Sequence, residues 1–221
     1  MLVPFFVSLA ACVSGADHGG TAIGNPTGMS AAVAPADGIQ FKDASVDVGA
    51  VELTGCDDST ARIAVDRTLD LLHLDRIALP AGIWCAVDVE LTSDVLLSGN
   101  AQGGGKFDMT LQLSGLTLDA VDALGTKEEE YILEFGAPGW TSADALNLSG
   151  GADRSIDVSS DEYDELVAKV SSGATIFVDD DENGALNDKE RAHGAVAKSR
   201  GRSDAAASKK HGKGHADDTG S

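Results

Sequence analysis

The chain is poor in aromatic and in basic side chains, and both shortages narrow what it can do. Aromatic residues make up 5% of its 221 residues, with only two Trp and two Tyr. A large helical core and an aromatic strip that stacks on sugar rings are therefore not favoured. Lys and Arg number 16 against 36 Asp and Glu, for a formal net charge of −20. Because nucleic-acid phosphate would be repelled, we expect no nucleic-acid partner.

Long apolar runs and catalytic motifs are also missing. No stretch of about 18 apolar residues occurs, so the sequence predicts no membrane-spanning helix. No nucleophile elbow, phosphate loop, dinucleotide loop or zinc-hydrolase motif is present. Residues 103–106 have the composition of a phosphate loop without its spacing, and a hairpin turn explains them. We therefore predict that the protein is not an enzyme; the alternative is a hydrolase site assembled from distant residues.

Short apolar alternations fill the middle of the chain and predict a mainly β fold. The clearest alternation runs from Ile83 to Leu91, and the run from Val95 to Leu97 either extends it or begins another strand. A further alternation runs from Phe107 to Leu113 after a glycine-rich turn, so an antiparallel hairpin is expected. The alternation changes parity at Gly49 and Ala50, which predicts a β-bulge. We predict one antiparallel β-sandwich-like domain over residues 39–195.

One helix is predicted near the C-terminal end of this domain. Ser159 and Glu162 have the spacing of a capping box that would start it. Apolar residues at helical spacing mark its packed face: Tyr163, Leu166, Val167 and Val170. After a stop at Gly173, the β-branched run from Thr175 to Val178 predicts a strand.

The N-terminus resembles that of a bacterial surface lipoprotein. The run Leu9-Ala10-Ala11-Cys12 matches the lipobox, in which an apolar stretch and small residues precede a lipidated cysteine. The resemblance implies a signal peptide over 1–11, a lipid anchor on Cys12 and a place in the cell envelope. Val13 is compatible with the outer membrane. Since no Lys or Arg precedes the apolar run, either the true start lies upstream or the segment is a buried strand.

Two stretches without an apolar period are expected to flank the domain. Residues 12–38 are rich in Gly, Ala, Ser and Thr, which predicts a flexible linker that holds the domain off a membrane. Residues 196–221 are rich in Lys, Arg, Ser and His, which predicts a disordered basic tail. Alternatives for the tail are contact with anionic lipid or cell-wall polymer and weak binding of a transition metal.

With Cys12 assigned to lipid, Cys56 and Cys85 remain. Both lie in or beside predicted strands, and the envelope is an oxidising compartment, so a disulfide between them is expected. Two buried free thiols are the alternative. A zinc site or a catalytic thiol is not supported, because the sequence has no closely spaced Cys and His pair.

The most specific motif is Asp179 to Glu190, which reads D-D-D-E-N-G-A-L-N-D-K-E. It resembles the twelve-residue calcium loop of the EF-hand family at every position that the family constrains. The resemblance implies Ca²⁺ ligands at positions 1, 3, 5, 7, 9 and 12: Asp179, Asp181, Asn183, the carbonyl of Ala185, Asn187 through a water, and both oxygens of Glu190. It also implies a sharp turn at Gly184 and a core position for Leu186. The alternative is an acidic, solvated turn that binds nothing.

A predicted strand leads into this loop, whereas a helix does so in the helix-loop-helix EF-hand family. In this respect the segment is more similar to the isolated calcium loops of bacterial extracellular modules, such as dockerin-like segments. The combined prediction is a calcium-binding, membrane-anchored surface lipoprotein with a structural or adhesive role. The alternative is a polysaccharide- or protein-binding module in which calcium is structural.

Overall fold

The computed structural model describes residues 28–200, except residues 74, 127, 128, 149, 184 and 185. The described chain is mainly β, as predicted, with eleven strands in one mixed sheet and two helices. The predicted signal peptide over 1–11 and the predicted lipid anchor on Cys12 lie outside the described residues. None of the described helices is both long enough and apolar enough to cross a membrane.

The elements follow one another along the chain with these bounds: β1 (Gly28–Val33), β2 (Ile39–Gly55), β3 (Thr60–Asp70), β4 (Trp84–Leu91), β5 (Val95–Ala101), β6 (Lys106–Leu111), β7 (Leu116–Leu124), β8 (Glu130–Phe135), β9 (Arg154–Ile156), α1 (Tyr163–Ser172), β10 (Thr175–Asp179), α2 (Asp188–His193) and β11 (Ala197–Ser199). In the sheet, their order is β1-β8-β10-β11-β7-β4-β2-β5-β6-β9, with β3 on the other side of β2.

The 17-residue strand β2 organises one half of the sheet. It pairs with β3 on one side, and on the other side with β5 along its first half and β4 along its second half. The register of β2 shifts between Val48 and Ala50 in the ladders with both β3 and β4, which confirms the predicted bulge. The bulge lets the apolar side chains on both sides of it point into the same core.

Two further breaks lie beside this bulge. Strands β4 and β5 run end to end along β2 with a gap at 92–94, and β6 and β7 repeat this arrangement with a gap at 112–115. Gly115 has φ +108°, and a Cβ there would lie 2.9 Å from the Val89 carbonyl oxygen, so the second break requires glycine. Buried side chains from strands on both sides of the breaks belong to one core. The predicted hairpin is confirmed around the glycine-rich turn, but its first arm is β5, which is a separate strand. The alternation that became β4 pairs with β2 and β7 and not with β6.

The sheet is not wholly antiparallel. β1 pairs with β8, and β6 with β9, in parallel register. Each parallel pair joins segments that are far apart in the chain, and alternation within a strand carries no information about such partners.

The folded body extends beyond the predicted boundaries at both ends. β1 lies inside the range predicted as a linker, and β11 lies inside the range predicted as a tail, so those predictions are wrong for residues 28–38 and 196–200. Met29 and Ala31 are buried, as is Ala197. Small residues dominate both segments, and their burial depends on neighbouring strands and not on a strong apolar pattern of their own.

Helix α1 buries the predicted face through Tyr163, Leu166 and Val170. The predicted capping box is wrong, because the N-cap residue Glu162 makes no side-chain capping bond. Ser159 instead donates from its backbone N and its Oγ to Asp157 Oδ1, at 2.8 and 2.6 Å. This local turn competes with the helix start for the hydroxyl group.

Candidate metal centre

Strand β10 places the first carboxylate of the loop. It lies between β8 and β11, and its last residue, Asp179, is opposite Glu130 of β8. The strand buries Ile176 and Phe177, and the side chain of Asp179 is only 3% exposed. The predicted extended lead-in to the loop is therefore confirmed, and Asp179 is fixed by the sheet and not by a preceding helix.

Helix α2 places the last carboxylate. Asn187 is its N-cap and accepts hydrogen bonds on Oδ1 from the backbone N of Lys189, at 2.9 Å, and of Glu190, at 3.2 Å. Glu190 completes the capping box, because its Oε2 accepts from Asn187 N at 2.7 Å. Its Oε1 accepts from Asp180 N at 3.2 Å. Each oxygen thus has one backbone donor and a further lone pair for a cation.

Three of the predicted ligands converge. Asp179, Asp181 and Glu190 each offer an oxygen, and these oxygens all lie within 4.8 Å of one another. Two oxygens bound to one calcium at about 2.3–2.6 Å can be at most about 5.2 Å apart, so the separation fits a shared ion. Asp179 and Glu190 are buried, whereas Asp181 is exposed. Three carboxylates this close repel one another unless a cation lies among them.

The structure does not bring the other predicted ligands together in the same way. Asn183 is exposed, and its backbone N donates to Asp181 Oδ1 at 3.3 Å. The side-chain oxygen of Asn187 serves as the cap of α2, so a water held by this residue would use its amide NH₂ group. Ala185 and Gly184 lie outside the described residues. Leu186 is only half-buried, so its predicted core position is wrong, since the loop extends beyond the end of β10.

A buried ion pair beside the loop was not predicted. Glu134 in β8 is 1% exposed, and Arg191 in α2 donates to its Oε1 from Nη2 at 2.6 Å and from Nε at 3.2 Å. His193 Nδ1 also lies 2.5 Å from Asp180 Oδ2. A sequence signal did exist, because Glu134 interrupts the apolar strand Y-I-L-E-F and a buried charge requires a partner. The identity of that partner was not readable from the sequence.

The predicted disulfide is confirmed. The sulfur atoms of Cys56 and Cys85 are 1.92 Å apart, and their Cα atoms are 5.0 Å apart. Cys56 follows the last residue of β2, and Cys85 is the second residue of the pairing strand β4. The bond therefore joins the ends of two neighbouring strands.

A second concave region lies away from the loop, between α1 and the part of the sheet around the gap at 112–115. This cleft has a volume of about 930 Å³. Its charged and hydroxyl side chains come from the sheet, from the gap at 112–115, from α1 and from the end of β11: Glu52, Arg62, Asp88, Glu90, Ser114, Thr117, Asp164, Ser171, Ser172, Ser199 and Arg200. Arg62 pairs with Glu90 at 2.5 Å, and the side-chain hydrogen bond to Glu90 raises the pKa of Arg62. Among the residues that the structure describes, no aromatic side chain lines the cleft.

Comparison of the chain with protein families, with characterised proteins and with solved structures found no match.

Proposed function

We propose that this protein is a calcium-binding, membrane-anchored bacterial surface lipoprotein with a structural or adhesive role. The convergence of Asp179, Asp181 and Glu190 carries the proposal, because these residues occupy positions 1, 3 and 12 of the loop pattern. Two of them are buried at the end of a strand and the start of a helix. Burial of carboxylates at this spacing destabilises the fold when no cation is bound, whereas a bound cation is ligated by their oxygens.

Calcium fits this donor set better than other common cations. All the proposed ligands are oxygens, which suit calcium and magnesium and not zinc or copper. Glu190 can offer two oxygens, and the Ala185 carbonyl with a water on Asn187 would complete a shell of about seven ligands. Magnesium requires a smaller octahedral shell, so a bidentate Glu190 would suit it poorly.

Calorimetric titration tests the site. We use the full chain with Cys12→Ser, which the proposal makes soluble. A single loop with an extended lead-in should bind calcium in the extracellular range, with a Kd on the order of 10⁻⁴ M. Magnesium at the same concentration should give little heat. Absence of calcium binding at 5 mM, a level about fifty times that Kd, would contradict the proposal, and equal binding of magnesium would contradict the ligand geometry.

The anchor is a separate part of the proposal. It is supported by the lipobox pattern that ends at Cys12 and by the Cys56–Cys85 disulfide, since stable disulfides are typical of compartments outside the cytoplasm. Metabolic labelling with a fatty-acid analogue should mark the wild type and leave Cys12→Ser unlabelled. The matched control, Cys56→Ser with Cys85→Ser, should keep its label. Equal label in wild type and Cys12→Ser would reject the anchor.

The cleft favours a second candidate function, a polysaccharide- or protein-binding module in which calcium is structural. Its carboxylates, hydroxyls and guanidinium groups can exchange hydrogen bonds with sugar hydroxyls or a peptide backbone. Sedimentation with purified cell-wall polysaccharide would test it. Asp164→Ala, in the cleft, should weaken binding, whereas Asp161→Ala, exposed before α1 and outside the lining, should not. No retention of the wild type by the polysaccharide would leave the structural role as the better account.

A further inference from the structure

The strand that follows the candidate calcium loop lies in the interior of the sheet. β11 has only three residues, yet it pairs with β10 on one side and with β7 on the other. In the strand order, it is the element that joins β1-β8-β10 to β7 and the strands beyond it. The loop and α2 form the connection between β10 and β11, so they determine whether β11 can occupy this place.

The bonds that hold β11 come from backbone on both sides. On the β7 side, Val121 N donates to Val196 O at 2.7 Å and Arg200 N donates to Thr117 O at 3.0 Å. On the β10 side, Val196 N donates to Ile176 O at 2.8 Å and Ser199 N donates to the carbonyl oxygen of the residue before β10 at 3.0 Å. Loss of β11 would therefore expose backbone groups on both neighbouring strands, and such groups are costly when left unpaired.

Apolar burial contributes little to holding α2 and β11 against the rest of the sheet. β11 buries Ala197, and Val196 is half-buried. The six-residue helix α2 buries only Glu190, and so short a helix is marginal without tertiary support. Its attachments to the rest of the protein are instead polar: the Arg191–Glu134 pair, the bond from Asp180 N to Glu190 Oε1 and the contact between His193 and Asp180.

The charge of the loop sets the strength of these attachments. Without a cation, the carboxylates of Asp179, Asp181 and Glu190 repel one another, and separation of Glu190 from Asp179 would relieve the repulsion. Glu190 is buried, and its Oε2 accepts from Asn187 N in the capping box, so displacement of its carboxylate breaks the start of α2. We propose that calcium in the 179–190 loop holds β11 in the sheet, so that the ion controls whether β10 and β7 remain joined. This inference rests on the proposed calcium site.

The same segment reaches the cleft. Ser199 and Arg200, at the end of β11, line its wall, and Arg200 is paired with Asp119 of β7 at 2.5 Å. Release of β11 removes both side chains from that wall. Calcium therefore controls the shape of the cleft without contacting it.

Hydrogen exchange measured with 5 mM calcium and with chelator tests the inference on the Cys12→Ser full chain. With calcium, the amides of Val121, Val196, Ser199 and Arg200 should exchange at least about tenfold more slowly. The β5–β6 hairpin should exchange equally in both conditions and serves as the internal control. Calcium binding by calorimetry with unchanged exchange at these amides would overturn this inference alone. Absence of calcium binding would overturn it together with the proposed function.

Reciprocity gives a second test. If calcium favours docked β11, then undocking β11 must weaken calcium binding by the same coupling. Ser199→Pro removes the donor to the carbonyl oxygen before β10, and proline is disfavoured inside a sheet. It should raise the Kd for calcium by at least about threefold, a modest coupling. Lys198→Ala, an exposed neighbour, should leave the Kd unchanged. Equal affinity of Ser199→Pro and wild type would overturn the inference.

Discussion

Two regions of this molecule are held together in different ways. The ribbon of β2, β3 and β4 ends at the Cys56–Cys85 disulfide and buries apolar side chains along its length. The segment from Asp179 to Arg200 consists of a loop, one short helix and one three-residue strand. The first region is stabilised by a covalent bond and by apolar burial, neither of which depends on ions.

The buried charged side chains lie in the second region or pair with it. Among the described residues, the buried charged side chains are Glu134, Asp179 and Glu190. Two belong to the loop, and the third pairs with Arg191 of α2. Buried charge is stable only with a partner of opposite sign. The stability of the second region therefore depends on charge pairing more than that of the ribbon does, and the proposed calcium site would let this region respond to calcium locally while the ribbon stays folded.

The largest expected effect is in the second region, at the buried ion pair. Arg191→Met leaves the Glu134 carboxylate buried without its guanidinium, which should cost about 3–5 kcal/mol of unfolding free energy. Arg62→Met is the matched control, since its ion pairs are exposed and contribute little. Denaturant unfolding of both variants checks the prediction. Equal stability of the two variants would show that the buried pair is not what attaches α2.

Removal of the disulfide should produce the next largest loss, in the first region. Cys56 and Cys85 are 29 residues apart, and removal of a bond that closes a loop of this size should lower the free energy of unfolding by about 3 kcal/mol. The double Cys56→Ser, Cys85→Ser variant should lose this stability equally with and without calcium. A calcium-induced shift in Tm that disappeared in this variant would contradict the separation of the two regions.

The sequence predicted the ribbon better than the loop segment for a physical reason. In long strands that face the core on one side, apolar residues recur at every second position, and this pattern predicted β2, β4 and β6. The strands β1 and β11 are small-residue segments whose burial is imposed by their neighbours. Local sequence carries no such signal, and both were assigned to flanking segments.

In the candidate site, too, the features that depend on local sequence were predicted and those that depend on the fold were not. The carboxylates at 179, 181 and 190 followed from spacing, because spacing within one loop is a local property. The Glu134–Arg191 pair joins positions 57 residues apart, so only the fold brings these side chains together. The capping box at Ser159 failed since Asp157, two residues earlier, takes the same hydroxyl group.

A buried tyrosine beside the second region should lower the free energy of unfolding at alkaline pH, by a smaller amount than the two changes above. Tyr131 of β8 pairs with Val178 of β10, and burial raises the pKa of its phenol to about 12. The unfolded phenol titrates near 10, so between these values the unfolded chain binds fewer protons and stability falls as pH rises. By pH 11.5 the loss should reach about 2 kcal/mol. Tyr131→Phe removes this slope.

Unfolding free energies measured from pH 8 to 11.5 check the Tyr131 prediction. Below pH 9, the difference between wild type and Tyr131→Phe should be constant, which serves as the control. Parallel curves up to pH 11.5 would show that Tyr131 does not titrate with the pKa assigned to it.

Calcium binding itself should give the smallest thermodynamic effect and the sharpest discrimination between the regions. At a calcium concentration ten times the Kd, binding should add about 1.4 kcal/mol, or roughly 3–6 °C in Tm for a chain of this size. Asp179→Ala and Glu190→Gln should each abolish most of this shift, because each removes a charged ligand.

The controls for these two variants are carboxylates at positions that the loop pattern leaves free. Glu182 and Asp188 are exposed. Glu182→Gln and Asp188→Asn lower the net charge of the loop as Glu190→Gln does, but neither changes a ligand, so both should retain the calcium shift. Thermal melts with and without calcium decide between a site and a general acidic surface. Equal losses in all four variants would mean that calcium responds to total charge, whereas losses confined to Asp179→Ala and Glu190→Gln locate the response at the converging carboxylates.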